Sequence, residues 1–296
     1  MLMSESLNIT EEVPNSRRKV FFGLFVFPML IAVTMAVLLS GVVLLTHEEE
    51  TPETLITAIK TGAPSKRWQK AFELSNELNR EGGLLRSAGI MNEVIHILND
   101  KEHYDAQTRA YMAMALSRFH APEAESALRK ALSEVDDSED LKLTLFLIWG
   151  VGSFENAGSA GDIARFLESQ HDDLRKAAAY VLGALKNKEV IPTLERALED
   201  SVIDVRWNAA LSLARLGSSS GREILLQMVD RKHLNQVGAQ RAVPLLNEAE
   251  TERVMVNAAK ALGLIQDPEI RKTLEQLSQT DSNLKVRQAA MAAMQR

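Results

Sequence analysis

Histidine most often supplies metal ligands and moves protons near neutral pH, so its spacing is the first test for chemistry in this 296-residue chain. A zincin-type helix carries two histidines four positions apart with a glutamate beside the first. No histidine pair here has that spacing with a carboxylate. The six histidines are His47, His96, His103, His120, His171 and His233. We therefore predict no metal site and no catalytic histidine.

Other patterns typical of catalysis or cofactor binding are also missing from the sequence. The chain has no cysteine, which excludes disulfides, thiolate zinc sites and a cysteine nucleophile. The glycine-rich stretches GSAGD (158–162) and GSSSG (217–221) follow no predicted strand and lack the lysine of a phosphate loop. Turn chemistry explains both. The sequence therefore predicts no catalytic residue and no cofactor, and it does not favour a small-molecule ligand.

The three tryptophans are the candidate contacts for a protein partner, because the chain is poor in aromatic residues. Trp68 and Trp207 each directly follow the arginine of a repeated pattern described below, and Trp149 precedes the GSAGD stretch. Partial burial between repeats is the alternative explanation of all three.

The charge distribution argues against nucleic acid as a partner. The chain has 34 Lys and Arg against 40 Asp and Glu, and the net charge of −6 belongs entirely to the part from His47 onward. Proteins that bind nucleic acid need a basic surface that neutralises phosphates. No basic run here is longer than three residues.

One uncharged, apolar segment near the N-terminus is long enough to cross a membrane. It extends from Val20 to Thr46, which as a helix reaches about 40 Å against roughly 30 Å of bilayer hydrocarbon. A signal peptide has a shorter apolar core and a small-residue cleavage site. We expect an uncleaved anchor that contacts the lipid bilayer over 20–46. Its small residues Ala32, Ala36 and Ser40 recur every four positions, where another helix can approach closely.

The residues that flank this segment predict its orientation. Arg17, Arg18 and Lys19 precede it, and basic residues beside a span resist translocation. The tail 1–19 is therefore expected in the cytoplasm. The part after Thr46 is expected on the far side of the inner membrane, in the periplasm where the cell has one.

The remainder of the chain is a series of predicted amphipathic helices with an internal repeat. DLRKAAAYVLGAL from Asp173 aligns with DVRWNAALSLARLG from Asp204, and similar stretches surround Arg109 and Arg287. The pattern recurs every 31 to 33 residues, apart from an insertion at about 231–250. Paired helices of that length cannot bury their apolar faces alone, so neighbouring pairs must stack. The sequence predicts an all-α solenoid of about six to seven helical hairpins over 47–296, preceded by one transmembrane helix.

The VRxxAAxxLG-like element, the acid before it and the period resemble short HEAT-like repeats of the phycobilisome-lyase type. The resemblance implies a ladder of arginine and aspartate between repeats. Arg109, Arg175, Arg206 and Arg287 match the arginine position, and Asp173 and Asp204 match the acidic position. Met255 departs from the pattern, which suggests a break in the ladder near the insertion.

Two functional hypotheses follow from the sequence. The favoured one is a non-catalytic, membrane-anchored scaffold or accessory subunit that binds other membrane protein subunits through the solenoid face or the transmembrane helix. The alternative is a HEAT-like lyase, isomerase or cofactor-attachment factor, which rests on the fold-level analogy alone.

Overall fold

The computed structural model describes residues 22–46, 51–79, 87–136, 140–240 and 247–295. The predicted cytoplasmic tail, the charged residues on both sides of the apolar segment and part of the predicted insertion, 241–246, lie outside these ranges. The chain divides into two compact units, Met1–Thr51 and Pro52–Arg296.

The N-terminal unit contains the helix α1, Phe27–Thr46, which continues from one π-helical turn, Phe22–Val26. Over Phe22–Val42 this helix is long and apolar enough to cross a membrane, and its window buries nothing inside the protein. A signal sequence near an N-terminus has the same length and composition, so the membrane assignment stays a proposal.

The second unit, which we call the repeat unit, consists of helices joined by short turns, and its described residues include no strand. The helices are α2 Pro52–Thr61, α3 Pro64–Glu77, α4 Ala88–Asn99, α5 Ala106–Leu116, α6 Pro122–Glu134, α7 Leu141–Gly152, α8 Ala160–Ala164, α9 Asp172–Ala184, α10 Ile191–Ala197, α11 Ile203–Arg215, α12 Arg222–Met228, α13 Arg231–Gln240, α14 Glu248–Leu262, α15 Pro268–Thr280 and α16 Leu284–Ala293.

These helices form two layers, as the repeat predicts. The helices that carry the arginine pattern (α3, α5, α7, α9, α11, α14 and α16) are the first layer, and most of them pack side by side in chain order. The second layer is α2, α4, α6, α8, α10, α12 and α15, and each of its helices packs against a first-layer helix beside it. Seven such pairs lie within the described ranges, with α13 as the extra helix. The prediction of an all-α solenoid is confirmed.

The alanine pair of the repeat lets one helix pack into two adjoining cores. In α11, Ala209 belongs to the core that extends back to Leu55, whereas Ala210 belongs to the core that continues to Ala293. Both side chains are completely buried. A larger residue at either position would push a neighbouring helix away.

Helices α9 and α11 approach each other most closely at a glycine. A Cβ atom built on Gly183 would lie 2.3 Å from Ser212 Oγ, well inside contact distance. The buried Ser212 hydroxyl donates a hydrogen bond of 2.6 Å to Ala179 O on the facing helix. The close approach and the hydrogen bond therefore set the spacing of these first-layer helices.

Candidate functional site

The exposed face of the first layer carries the solvent-exposed aromatic side chains of the described repeat unit. Phe72 on α3 is 46% exposed, Trp149 on α7 is 40% exposed and Tyr180 on α9 is 38% exposed. Large aromatic rings are ordinarily buried for most of their surface, and exposed ones mark contact sites. This face is the candidate functional site.

The helical repeat explains why these rings share a face. Phe72 and Tyr180 both follow the repeat arginine of their helices by five positions, and Tyr111 on α5 follows its arginine by two. Positions three apart on an α-helix lie on the same side. Stacked repeats therefore align the rings into a row across the first layer.

The first part of the row, which we call the Lys142 cluster, comprises Phe72, Tyr111, Phe146 and Lys142. The Phe72 and Tyr111 rings meet edge to face with centroids 5.3 Å apart, and Tyr111 and Phe146 do so at 5.8 Å. Lys142 Nζ lies 4.7 Å from the Tyr111 ring centroid and 5.7 Å from that of Phe146. It also donates a hydrogen bond of 3.2 Å to Tyr111 Oη.

The second part of the row, the Trp149 cluster, comprises Trp149, Tyr180 and Arg215. The Trp149 and Tyr180 rings have centroids 5.3 Å apart and are tilted by 48°. The Arg215 guanidinium carbon lies 4.9 Å from the Tyr180 centroid. Each cluster thus combines exposed π-surface with one cation, an arrangement suited to a flat conjugated ligand that carries negative charge.

The three tryptophans that the sequence analysis grouped as candidate partner contacts differ in their solvent exposure. Trp149 is exposed, and Trp68 is half-buried. Trp207 is only 6% exposed, in the core that includes Leu211 and Met255, so its prediction as a surface contact is wrong. Packing of α11 against the following repeat buries Trp207.

The small residues Ala32, Ala36 and Ser40 are exposed on α1, and their role in helix packing stays a prediction. Within the described residues, no group of three or more His, Asp or Glu side chains is placed to hold a metal ion.

The arginine ladder exists, but its acidic partners differ from those predicted. Arg175 donates from Nε and Nη2 to the two Asp200 carboxylate oxygens, at 2.8 and 3.2 Å. Arg206 donates to Asp200 O at 2.6 Å. The predicted partner Asp173 instead pairs with Lys176 at 3.0 Å, one turn along its own helix. The acid therefore lies six residues before an arginine, in the turn between repeats, where it reaches the preceding repeat.

The other predicted ladder residues follow this revised geometry in part. Arg287 donates from Nη1 to Asp281 O at 2.7 Å, six residues before it. Arg109 donates to Leu98 O at 2.8 Å, and burial lowers the pKa of its guanidinium. Asp204 is the acidic residue in the first turn of α11, where its negative charge interacts favourably with the positive end of the helix dipole.

The extra helix α13 supplies the arginine–aspartate ion pair that Met255 cannot form. Met255 is fully buried, but Arg231 at the start of α13 donates to the two Asp281 carboxylate oxygens at 2.8 and 2.9 Å. Arg231 also contacts Glu248 at 3.1 Å. The predicted break in the ladder is therefore bridged by the insertion.

The two arginine–aspartate ion pairs, Arg175–Asp200 and Arg231–Asp281, have similar electrostatics. Burial is the largest single influence on the carboxyl pKa of Asp200 and Asp281 and tends to raise it. The hydrogen bond from Arg175 or Arg231, a backbone N–H hydrogen bond and the nearby guanidinium charges together outweigh burial and lower both pKa values. The hydrogen bonds between the paired side chains raise the pKa of the two guanidinium groups. The repeated DS dipeptide six residues before Arg206 and Arg287 is a sequence signal that identifies both acids.

Sequence reasoning also missed most of the aromatic row. It singled out Trp149 but not Phe72, Tyr111, Phe146 or Tyr180, nor the Lys142 that lies over two of these rings. The signal was present, because the aromatic residues recur two to seven positions after the repeat anchor. Only stacking shows that they meet across helices.

Comparison with known proteins shows similarity to a repeat family, to a named protein and to a solved structure. A family model of HEAT repeats matches residues 162–243. Phycocyanobilin lyase subunit alpha of Nostoc sp. (strain PCC 7120) is 30% identical in an alignment over 184 residues that covers 50% of this chain and 67% of that protein. The structure of the complex of CpcE and CpcF of phycocyanin lyase from Nostoc sp. PCC7120 matches with a TM-score of 0.54 at 17% identity, over 84% of this chain and 96% of that chain. At that identity the structural match shows the fold alone.

These similarities correct the predicted function. The non-catalytic scaffold was favoured on the sequence, and the chain was expected not to be an enzyme. The relative that matches 184 residues is named a lyase subunit, which contradicts both expectations and favours the alternative of a lyase or cofactor-attachment factor. That relative is named a subunit, and the solved structure is a complex of two proteins.

Proposed function

The chain belongs to the family of HEAT-repeat phycocyanobilin lyase subunits, and we propose on that premise that it is a lyase-type subunit that attaches a bilin to a carrier polypeptide or removes it. The observation that carries the proposal is the 30% identity over 184 residues to a lyase subunit. The lyase reaction would join or separate bilin and carrier without an oxidant or reductant.

The aromatic row supports this role chemically. A bilin is a linear tetrapyrrole, a conjugated and largely flat molecule with two propionate groups. Exposed rings such as Trp149 and Tyr180 offer π-surface for stacking, and Arg215 and Lys142 offer cations for the propionates. The chain contains no cysteine, so it cannot hold the bilin as a thioether. We propose noncovalent binding on the first layer before or after transfer.

Binding is tested with the full-length chain in mild detergent, titrated with phycocyanobilin. We expect a change in the bilin absorption band together with quenching of tryptophan fluorescence. Replacing both Trp149→Ala and Tyr180→Ala should weaken binding roughly tenfold, since each aromatic contact contributes about 0.5–1.5 kcal/mol. Leu284→Ala, an exposed apolar side chain on α16, is the matched control and should bind as the parent chain does. Absence of any spectral change would contradict the proposal.

The lyase reaction has its own test. The chain is incubated with phycocyanobilin and an apo-subunit of phycocyanin, with and without a companion lyase subunit from the same cell. Bilin that remains on the carrier after denaturing electrophoresis measures attachment. We expect the rate to rise above that of the spontaneous reaction and to fall in the double variant. Equal rates with and without the chain, in both mixtures, would exclude a lyase role.

We further propose that α1 anchors this subunit in a membrane. The support is the length of Phe22–Val42 and the exposure of nearly all its apolar side chains. The proposed orientation, with the repeat unit outside the cytoplasm, depends on the predicted role of Arg17, Arg18 and Lys19. Protease added to intact spheroplasts should degrade the repeat unit, and its protection would reverse the orientation.

A further inference from the structure

The position of Lys142 in the repeat makes it unusual. At the same position Arg175, Arg206 and Arg287 turn toward the loop before their own helix and donate to its carbonyl oxygens. Lys142 instead donates to the Tyr111 hydroxyl on the neighbouring helix. A residue that is structural in the other repeats therefore points its charge at the exposed aromatic face in this one.

The Lys142 ammonium has no carboxylate partner among the residues that the structure describes. Two other lysines of the first layer do have one, since Lys176 pairs with Asp172 at 2.9 Å and Lys285 with Glu252 at 2.7 Å. Its neighbours are the rings of Tyr111 and Phe146. Among the described residues, Lys142 thus contacts aromatic rings and no carboxylate, in a repeat unit that is acidic as a whole.

The hydrogen bond between the two side chains gives them a shared preference for an anion. Lys142 Nζ donates to Tyr111 Oη, so the tyrosine O–H is left to donate elsewhere. The ammonium keeps two further N–H donors. The two donor atoms are 3.2 Å apart, close enough for the two oxygens of one carboxylate to accept from both.

We propose that Lys142 and Tyr111 form the carboxylate-binding point of the site, which holds one acid group of a flat conjugated ligand that lies against Phe72 and Phe146. This inference rests on the proposed function, because the bilin is the ligand class that supplies both a conjugated plane and carboxylates. It adds a specificity: the site distinguishes the acid from its neutral ester.

The test compares two probes with the same conjugated skeleton, biliverdin with two charged propionates and biliverdin dimethyl ester with none. The full-length chain in detergent is titrated with each probe, and tryptophan quenching gives the dissociation constants. We expect the parent chain to bind the acid about tenfold more tightly than the ester. Lys142→Met should weaken binding of the acid about tenfold and leave the ester unchanged, and Lys142→Arg should retain most of the preference.

Two further variants keep the test decisive. Tyr111→Phe removes one hydroxyl and keeps the ring, so it should reduce the preference for the acid without loss of fold. Lys272→Met on the second-layer helix α15 removes an exposed lysine far along the chain and should change neither constant. Circular dichroism of each variant verifies folding.

The outcomes separate this inference from the proposed function. Equal weakening of acid and ester by Lys142→Met, or an unchanged acid preference in both Lys142→Met and Tyr111→Phe, would overturn the carboxylate-binding point while bilin binding stands. If the parent chain binds neither probe, this inference fails, and the phycocyanobilin titration decides whether the proposed function fails with it.

Discussion

At the scale of single residues, the most buried ion pairs within the described part of the repeat unit are Arg175–Asp200 and Arg231–Asp281. The Asp281 side chain is 4% exposed, accepts from Arg231 and also accepts from Asn283 N at 2.8 Å. A carboxylate held so completely is worth more than a surface ion pair, because its loss leaves the largely buried Arg231 guanidinium with only the exposed Glu248 as a partner.

We therefore predict that Asp281→Asn lowers the free energy of unfolding by about 2 kcal/mol at pH 7. Urea unfolding followed by circular dichroism measures the change. Asp173→Asn is the matched control, since its side chain is 59% exposed and its pair with Lys176 is a surface contact worth little. Equal effects of the two substitutions would contradict the ladder as described.

The lowered pKa values of Asp200 and Asp281 also predict how stability depends on pH. A carboxyl whose pKa is lower in the folded state stabilises the fold above its unfolded pKa of about 3.9. That contribution is lost as pH falls through the lower folded value. We expect the stability difference between the parent chain and Asp281→Asn to be full at pH 7 and to shrink below about pH 4. Urea midpoints measured across this range check the prediction, and a difference that grows on acidification would refute it.

At the scale of the helices, close packing within the first layer depends on small residues at fixed points. Gly183→Ala would place a methyl group against Ser212 Oγ and disturb the buried hydrogen bond to Ala179 O. We predict a loss of about 1–3 kcal/mol in unfolding free energy, as overpacking in a core costs.

The same substitution at an open site gives the control. A Cβ atom on Gly161 in α8 would meet nothing within 4 Å, so Gly161→Ala should stabilise the fold slightly through helix propensity, by about 0.5–1 kcal/mol. Thermal unfolding of both variants distinguishes the effects by sign. A neutral Gly183→Ala would mean that α9 and α11 separate without cost.

The extra helix α13 shows how an irregular element is accommodated in a regular array. Its first residue, Arg231, binds the acid that the missing arginine of α14 would otherwise bind. The insertion lengthens the interval between repeats and still supplies the charge that the ladder needs.

At the scale of the whole molecule, the chain joins an apolar helix to an acidic repeat unit. We predict that the full-length chain sediments with membranes, remains there after washing with salt or alkaline carbonate, and dissolves in detergent, because about 20 apolar residues are enough to span the hydrocarbon. A chain that lacks residues 1–50 should be recovered in the supernatant. Release of the full-length chain by salt alone would mean that α1 does not span a bilayer.

The sequence by itself determined the repeat architecture, because the apolar stripe and the 31–33-residue period are local properties that each repeat carries. It also identified the ladder arginines and the apolar helix. It did not identify Asp200 or Asp281 as their partners, since acids close to an arginine in sequence compete with acids that the stacking brings to it.

Only the tertiary structure decided which side chains share the exposed face. Phe72, Tyr111, Phe146 and Tyr180 lie on four different helices, and Trp207 has the same sequence setting as Trp68 but is buried. Their meeting depends on the distance and rotation between stacked repeats, which the pattern within one repeat does not specify. A site built across repeats is therefore a property of the stack, whereas the helices that build it are properties of the sequence.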